Sequence, residues 1–355
     1  INYKLKPSSY IIPYVEVEGG PKTKIKFRDK EQMVEIDVKQ GATPTTNNDI
    51  SKFIEFQGLG VSINNELSTA YSVRGGNFDE NLVYVNGFEV YRPFLIRSGQ
   101  QEGLSFVNPD MVENIAFSAG GFQSKYGDKM ASVLDVEYKR PYKFGGSVSA
   151  SLLGANLAVE GTDKSKNFTY ALGGRYKTSK LLLGALDVNG QYQPTFVDLQ
   201  GFFTFRTSEN FRLEYITNFA LNKFDFIPSD RTTQFGLVNF QAQFDVLYDP
   251  VENSSENDSY NSLMNGLAAV FEPTENLELR LLASSYNMTE YERYNLLSYY
   301  QLGEVETDPA DENIGEVKNI IGSGAFHEWA RNSLFTDVYS LAHKGKYEVK
   351  KHELD

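Results

Sequence analysis

The feature that most constrains this chain is an alternation of apolar and polar side chains along several long segments of its second part. The stretches VDLQGFFTFR (197–206), FRLEYITNFAL (211–221) and LELRLLAS (277–284) all carry it. A period of two residues indicates a β-strand with one apolar and one polar face. We therefore expect these strands to separate an apolar medium from a polar interior. The predicted outward residues are Val197, Leu199, Phe203, Leu213 and Tyr215, and the predicted inward residues are Asp198, Arg206, Arg212 and Glu214.

The connections between the predicted strands fall into two classes of length. The short ones lie at about 161–167, 207–210, 273–276 and 343–346. The long, acidic ones lie at 229–260 and about 300–327. Short turns at one end of the strands and long loops at the other are typical of outer-membrane β-barrels. Aromatic residues flank the short turns, as an interfacial girdle would: Phe168, Tyr170, Phe203, Phe205, Phe211 and Phe271. The alternative is a large soluble all-β domain with elaborated loops.

About nine strands follow residue 145, and the last of them begins near Tyr347. Because single-chain bacterial barrels have an even number of strands, we expect the C-terminal remainder of the barrel to be missing. The chain is thus predicted to be mainly β, with an antiparallel transmembrane barrel over 142–355.

Composition and motifs exclude several classes of function. The net charge of −13 argues against nucleic-acid binding, and the chain has no cysteine for disulfides or zinc-thiolate sites. In the segment HEWAR (327–331), Arg331 occupies the position where a zinc-protease motif that begins at His327 needs its second histidine. We therefore expect no enzyme. We expect no cofactor either. The acidic segments SSENDS and TDPADEN offer oxygen ligands for Ca²⁺, and solvated loops are the alternative.

The residues before Arg140-Pro141 predict a small α+β domain over 41–141. The segment 46–56 has an Asn/Thr cap followed by Ile50, Phe53 and Ile54 at helical spacing. Asn108 before Pro109 predicts a second helix start. Strands are predicted at about 69–74, 81–85, 88–92, 113–118 and 132–138.

Glycines and one asparagine mark the turns of this domain. Asn86-Gly87 suits the two positive φ angles of a type I′ turn, so 81–92 is predicted to be a hairpin. The pairs Gly75-Gly76 and Gly120-Gly121 predict positive φ or a close backbone approach.

Two stretches in this domain carry a resemblance to a known family. YSVRGGNFDENLVYVNGFEVYRP (71–93) and GGFQSKYGDKMASVLDVEYKRP (120–141) resemble the plug domain of TonB-dependent outer-membrane receptors, and most of all its Bacteroidota branch. The chain departs from the family at Asn86, where Asp is usual, and at 129–131, where an Arg-Leu-Ser-like stretch is usual.

The resemblance implies positions for several charged residues. Arg74, at the end of an apolar strand, is expected to point its guanidinium at carboxylates inside the barrel lumen. The candidate network is Arg74, Asp79, Glu80 and Asn81. It would lock the plug in place, and a ligand-binding role is the alternative.

The N-terminal segment 1–40 is expected to be periplasmic. PYVEVEGG (13–20) resembles a TonB box, a strand offered to the energising protein by strand addition. The candidate residues are Val15, Glu16, Val17 and Glu18. An ordinary strand of the folded unit is the alternative.

The resemblance implies a transporter in the bacterial outer membrane. It would import a scarce nutrient, such as a siderophore, vitamin, glycan or peptide, with the TonB complex as its partner. The alternative is a receptor-shaped, non-transporting subunit of an outer-membrane complex that holds a surface lipoprotein or other subunits.

Overall fold

A computed structural model describes residues 33–36, 49–63, 68–94, 103–123, 125–180, 190–237, 240–248, 254–349 and 352–354. Within these ranges the chain forms two units. The N-terminal unit comprises the described residues between 33 and 138, and the strand wall comprises those between 145 and 354. No helix in these ranges is long and apolar enough to cross a membrane.

The N-terminal unit is a small five-stranded sheet with one helix and a separate strand pair. Its helix is α1 (Ile50–Gln57), and its strands are β1 (Val34–Glu35), β2 (Val61–Ile63), β3 (Tyr71–Val73), β4 (Asn81–Val85), β5 (Phe88–Glu89), β6 (Val112–Ser118) and β7 (Ser132–Tyr138). The sheet order is β1-β6-β7-β4-β5, with β4 and β7 parallel, while β2 pairs with β3. Single turns of 3₁₀ helix cover Phe78–Glu80 and Pro109–Met111.

The predicted helix forms, but it begins later than the sequence analysis places it. Asp49 is the N-cap, and its side chain accepts a hydrogen bond from the Ser51 N–H at 3.0 Å. The expected Asn/Thr cap is therefore wrong, because a carboxylate next to the first apolar residue satisfies the free N–H groups of the first turn. Ile50, Phe53 and Ile54 are all buried, as their spacing predicts. Asn108 caps the Pro109–Met111 turn, also as predicted.

The strand wall is one antiparallel sheet of eleven strands among the described residues. They are β8 (Gly145–Ser151), β9 (Gly154–Thr162), β10 (Phe168–Thr178), β11 (Gln191–Ser208), β12 (Phe211–Ile227), β13 (Arg231–Leu237), β14 (Phe240–Tyr248), β15 (Ser255–Thr274), β16 (Leu277–Val305), β17 (Val317–Val349) and β18 (His352–Leu354). The order β8-β9-β10-β11-β12-β15-β16-β17-β18 runs across the sheet. The hairpin β13–β14 continues the line of β15 along the upper part of β16. Among the described residues, β8 and β18 do not pair with each other, so this sheet is not closed into a barrel.

The strand count and two predicted loops are corrected by this sheet. The segment 229–260 contains β13, β14 and the start of β15, and the segment 300–327 leaves only 306–316 outside the strands. Polar sequence does not prevent these strands because the backbone forms the ladder whatever the side chains are. Eleven described strands therefore replace the predicted nine.

Three of the four predicted short turns are confirmed, and one is wrong. The chain turns at 163–167, 209–210 and 275–276. Residues 343–346 instead lie inside β17, which pairs continuously with β16 down to Leu277 opposite Tyr347. The last described strand therefore begins at His352 and not near Tyr347.

The predicted alternation of faces is confirmed. Leu199 is 58% exposed, whereas its neighbours Asp198 and Gln200 are 3% and 5% exposed. The apolar set faces out, and Asp198 and Glu214 are buried on the inner side, whereas Arg206 near the end of β11 is exposed. Phe202 breaks the alternation, and it packs on Tyr138 of that unit with ring centroids 6.4 Å apart.

Aromatic rings line the outer face close to the short turns. Phe168 stacks on Phe203 at 6.3 Å, and Phe203 stacks on Tyr215 at 6.1 Å. Phe205 and Phe271 are exposed on the same face. This row is where an interfacial aromatic girdle would lie.

The outward face predicts a depth-dependent cost for a charge. Leu199→Arg should lower the free energy of unfolding by about 2–4 kcal/mol, because an arginine in mid-span must leave water for lipid. Ile227→Arg, also exposed but at the far end of β12, should cost about 0–1 kcal/mol. Unfolding of the protein in lipid vesicles measures both values. Equal costs would contradict the assignment of this face to lipid.

Candidate functional site

The N-terminal unit touches the wall first through the tip of its β4–β5 hairpin. Asn86 and Gly87 have φ angles of 52° and 84°, which confirms the predicted type I′ turn. The turn presents two carbonyl oxygens to the wall. Arg280 Nη2 donates to the Asn86 oxygen at 3.0 Å, and Lys344 Nζ donates to the Gly87 oxygen at 2.9 Å. The hairpin tip is thus held by two cations of β16 and β17.

Lys344 also covers an aromatic ring of the N-terminal unit. Its Nζ lies 4.4 Å from the centre of the Tyr84 ring. Burial, together with the charges of Glu89, Asp135 and Asp128, raises the pKa of Tyr84 to about 12. The phenol therefore stays neutral at ordinary pH, and the cation meets the face of an uncharged ring.

A buried carboxylate organises the charges next to the hairpin tip. Glu214 of β12 has a side chain that is 0% exposed, and three arginines each approach one of its oxygens at 2.8 Å. They are Arg140, Arg212 and Arg280. Arg140 lies in the connection that follows β7, so this cluster ties the exit of the N-terminal unit to the wall. We call these four residues the Glu214 cluster.

The cluster extends to the rim of the wall through one of its arginines. Arg212 also contacts Glu272 at 2.6 Å and Glu278 at 3.4 Å. Glu272 is 37% exposed, in contrast to the fully buried Glu214. A buried charge depends on its partners much more than a rim charge does.

A second set of contacts holds the segment 103–108. Arg175 of β10 pairs with Asp198 of β11, with Nε to Oδ1 at 2.9 Å. Its other nitrogens donate to the carbonyl oxygens of Val107 at 2.9 Å and Ser105 at 2.7 Å. Lys177 donates to the oxygen of Gly103 at 2.8 Å. The wall therefore binds the backbone of this segment, whatever its side chains are.

A glutamine and a tyrosine complete this second set. Gln200 Nε2 donates to the Phe106 oxygen at 2.6 Å, and Tyr138 donates its hydroxyl hydrogen to Gln200 Oε1 at 2.7 Å. Burial raises the pKa of Tyr138 well above its usual value. The hydroxyl thus remains protonated and able to donate.

A third contact lies near the middle of β16. Arg92 pairs with Glu290 of β16, and the ring of Tyr91 lies 5.5 Å from that of Tyr286. The N-terminal unit is therefore anchored to the inner face of the wall at three places.

The residues of the predicted lumen network are placed differently from one another. Asn81 is buried: its Nδ2 donates to the Tyr71 oxygen at 2.7 Å, and its Oδ1 accepts from Ser132 Oγ at 2.7 Å. Arg74 and Asp79 are exposed and Glu80 is half-buried. Within the described ranges no salt bridge reaches these three charged residues, so the expected ionic network is not found there.

The backbone explains why Arg74 leaves the strand direction. Its φ is 49° and that of Gly75 is 82°, so the two form a tight turn closed by the Gly76 N–H donating to the Val73 oxygen at 2.9 Å. The turn carries the guanidinium to the surface of the unit. A Cβ on Gly76 would lie 2.8 Å from that of Ala131, which is the predicted close approach. Gly120 and Gly121 have positive φ, also as predicted.

Several functional residues on the wall escaped sequence reasoning. Glu214 and Asp198 were placed on the inward face, but their partners were not identified. The missed partners of these two carboxylates are Arg140, Arg175, Gln200 and Arg280, and Lys344 was missed as a contact of the hairpin tip. The contacts that the four cations make join residues 23 to 257 positions apart. On the strands, the signal in the sequence is a polar residue at an inward position.

Two further predictions find no support among the described residues. The candidate TonB box, Val15 to Glu18, lies outside them. Residues 255–259 of SSENDS form the first part of strand β15 and are not a loop. No cluster of three metal-ligating side chains occurs in the described ranges. The Ca²⁺ site remains a prediction.

Comparison with known proteins places the N-terminal unit in a family. Residues 36–133 match the model of the TonB-dependent Receptor Plug Domain. This identifies the N-terminal unit as a plug domain, and it is a receptor family rather than an enzyme family, in agreement with the expectation of no enzyme. None of the curated proteins matches the chain significantly.

Solved structures of outer-membrane receptors match this chain at low sequence identity. The ferric enterobactin receptor of Pseudomonas aeruginosa has 13% identity and a TM-score of 0.44, over 90% of this chain and 56% of that one. A siderophore receptor of Acinetobacter baumannii has 10% identity and a TM-score of 0.44, over 91% and 60%. The copper transporter OprC has 10% identity and a TM-score of 0.44, over 90% and 62%. This chain thus spans 56% to 62% of their lengths.

Proposed function

We propose that this chain is the plug and part of the barrel wall of a TonB-dependent transporter of the bacterial outer membrane. The observation that carries the proposal is a plug domain resting on the polar inner face of a sheet whose outer face is apolar. A plug fixed to the wall at three places blocks the path along it. Import then requires that energy supplied through the TonB complex displaces the plug.

The charged contacts between plug and wall fit a plug that is held firmly but reversibly. Wall cations donate to backbone oxygens at 86–87 and 103–107, and these hydrogen bonds can be exchanged for water without breaking a covalent bond. We also propose that the substrate is a scarce nutrient and that the protein is a receptor of the Bacteroidota type. The two sequence motifs at 71–93 and 120–141 support the second proposal.

Energy coupling would use the segment 13–20 as the TonB box. Strand addition depends on main-chain hydrogen bonds, so proline, which lacks the N–H and fixes φ, should disrupt it. Val15→Pro or Val17→Pro should abolish uptake of the nutrient while surface expression and ligand binding stay intact. Val15→Ala should have a smaller effect, because it keeps the backbone donor.

The assay compares uptake, surface expression and binding for the same full-length variants. Proline variants that import as well as the parent protein would show that 13–20 is not the TonB box. Proline variants that also lose expression and binding would show that this segment is an ordinary strand of the folded unit.

A further inference from the structure

A small cleft lies between the plug and the wall, beside the Arg92–Glu290 pair. The plug lines it with residues 92–94 and 104–106, and the wall lines it with side chains of β11, β12, β15 and β16. The wall side chains used below are Asn218, Asn222, Ser262, Tyr286 and Met288. Its volume of about 40 Å³ holds roughly three water molecules, or one small polar group of a larger ligand.

An unpartnered amide faces this cleft. Asn218 is 4% exposed, and within the described part of the chain its side chain makes no hydrogen bond. Asn222, four residues further along β12, is 7% exposed. Its side chain makes one hydrogen bond in the described residues, in which Nδ2 donates to the Tyr260 oxygen at 3.1 Å. Neither Asn218 nor Asn222 is among the fully enclosed polar groups without a partner in the described residues, so their free donor and acceptor atoms open onto the cleft. The cleft therefore offers these atoms to a group that enters it.

The charges at the edge of the cleft are already neutralised. Arg92 pairs with Glu290, and Asp198 pairs with Arg175 and accepts from Gln200 at 2.7 Å. A charged group entering the cleft would find no free counter-charge, and its desolvation would be uncompensated. Tyr286 and Met288 give the cleft an apolar side.

We propose that this cleft binds a neutral group that both donates and accepts hydrogen bonds, a hydroxyl or a carboxamide, carried by the imported substrate. Asn218 supplies one donor and one acceptor atom, and Asn222 supplies a second acceptor. That the ligand is an imported substrate rests on the proposed function. The cleft then favours substrates that carry hydroxyl or amide groups at this position. A charged group is excluded from the cleft for lack of a partner.

The test uses the absence of cysteine from these 355 residues. Ser262→Cys in the full-length protein places one thiol in the cleft, and its rate of reaction with a small methanethiosulfonate reagent reports whether the cleft is occupied. The probes are sucrose for hydroxyls, N-acetylglycinamide for amides, citrate for an anion and spermidine for a cation. Sucrose or N-acetylglycinamide should slow labelling saturably, by at least about twofold when the probe reaches its Kd. Which of the two protects identifies the source of the group.

Two variants separate the cleft from general effects. Asn218→Leu in the Ser262→Cys protein keeps the side-chain size, so labelling without probe should stay unchanged while protection is lost. Thr217→Val, on the outer face of the same strand, should leave protection intact. Each of the following results would overturn the inference: an unreactive thiol, protection by citrate or spermidine as strong as by the neutral probes, protection by none of them, or protection that survives Asn218→Leu.

The proposed function fails on a different readout. A protein that shows proline-sensitive uptake without neutral-probe protection keeps its function as a transporter and loses this binding site. A protein with Asn218-dependent protection but no uptake keeps the binding site and is not a transporter.

Discussion

Glu214→Gln should lower the free energy of unfolding by about 3–5 kcal/mol, because it removes the one anion shared by three arginines in a buried position. Glutamine keeps the shape of the side chain, so the effect isolates the charge. Arg140 and Arg280 have no other carboxylate within salt-bridge distance in the described ranges. Both cations would be left partly buried without a counter-charge, since their side chains are 30% and 14% exposed.

The loss should also loosen the plug. Arg280 bonds the Asn86 oxygen and Arg140 leads out of β7, so both elements lose their common anchor. Limited proteolysis of the plug in the assembled protein should become faster in Glu214→Gln. Denaturant unfolding in lipid vesicles measures the free energy, and the rate of plug cleavage measures the loosening.

Glu272→Gln is the matched control. It removes the same charge from the same arginine, Arg212, but at a rim position that is 37% exposed. The cost should be below about 1 kcal/mol, since a solvent-exposed ion pair contributes little. Similar losses for the two variants would mean that the burial of Glu214 does not anchor the plug.

The local elements were predictable because their signals lie within a few residues. Ile50, Phe53 and Ile54 specify a helical face, and Asn86-Gly87 specifies a turn that requires two positive φ angles. The alternation in 197–206 likewise specified which residues face out. These signals depend on backbone geometry and burial, both of which are local.

The contacts of the site were not predictable because they join distant strands. Arg280 reaches Glu214 across β15, and a strand pattern says that both face inward but not that they meet. The register of the strands decides which residues lie opposite each other. A polar strand looks like a loop in the sequence, so its register cannot be inferred. The segment 300–327 therefore concealed the continuation of β16 and β17.

A disulfide between plug and wall should abolish import. A Cβ on Gly173 of β10 would lie 2.4 Å from Asn108 Nδ2, so the Cβ atoms of cysteines at these positions come close to the spacing of about 3.5–4.5 Å that a disulfide needs. Asn108→Cys with Gly173→Cys would tie the plug to the wall beside the Arg175 contacts. If the plug must move for import, the oxidised protein cannot transport.

The reduced form of the same double variant is the first control, since it carries both substitutions and the loss of the Asn108 cap. The second control is Gly174→Cys with Leu199→Cys, which are paired neighbours on β10 and β11 and involve no plug residue. A disulfide there should leave uptake unchanged.

The most direct test of the account is uptake of the native nutrient by the Asn108→Cys/Gly173→Cys protein in intact cells, before and after a membrane-permeant reductant. The account predicts no import while the disulfide is intact and recovery on reduction, with surface expression constant. Import at the reduced rate by protein whose disulfide is shown to be fully formed would contradict a plug that has to leave the wall.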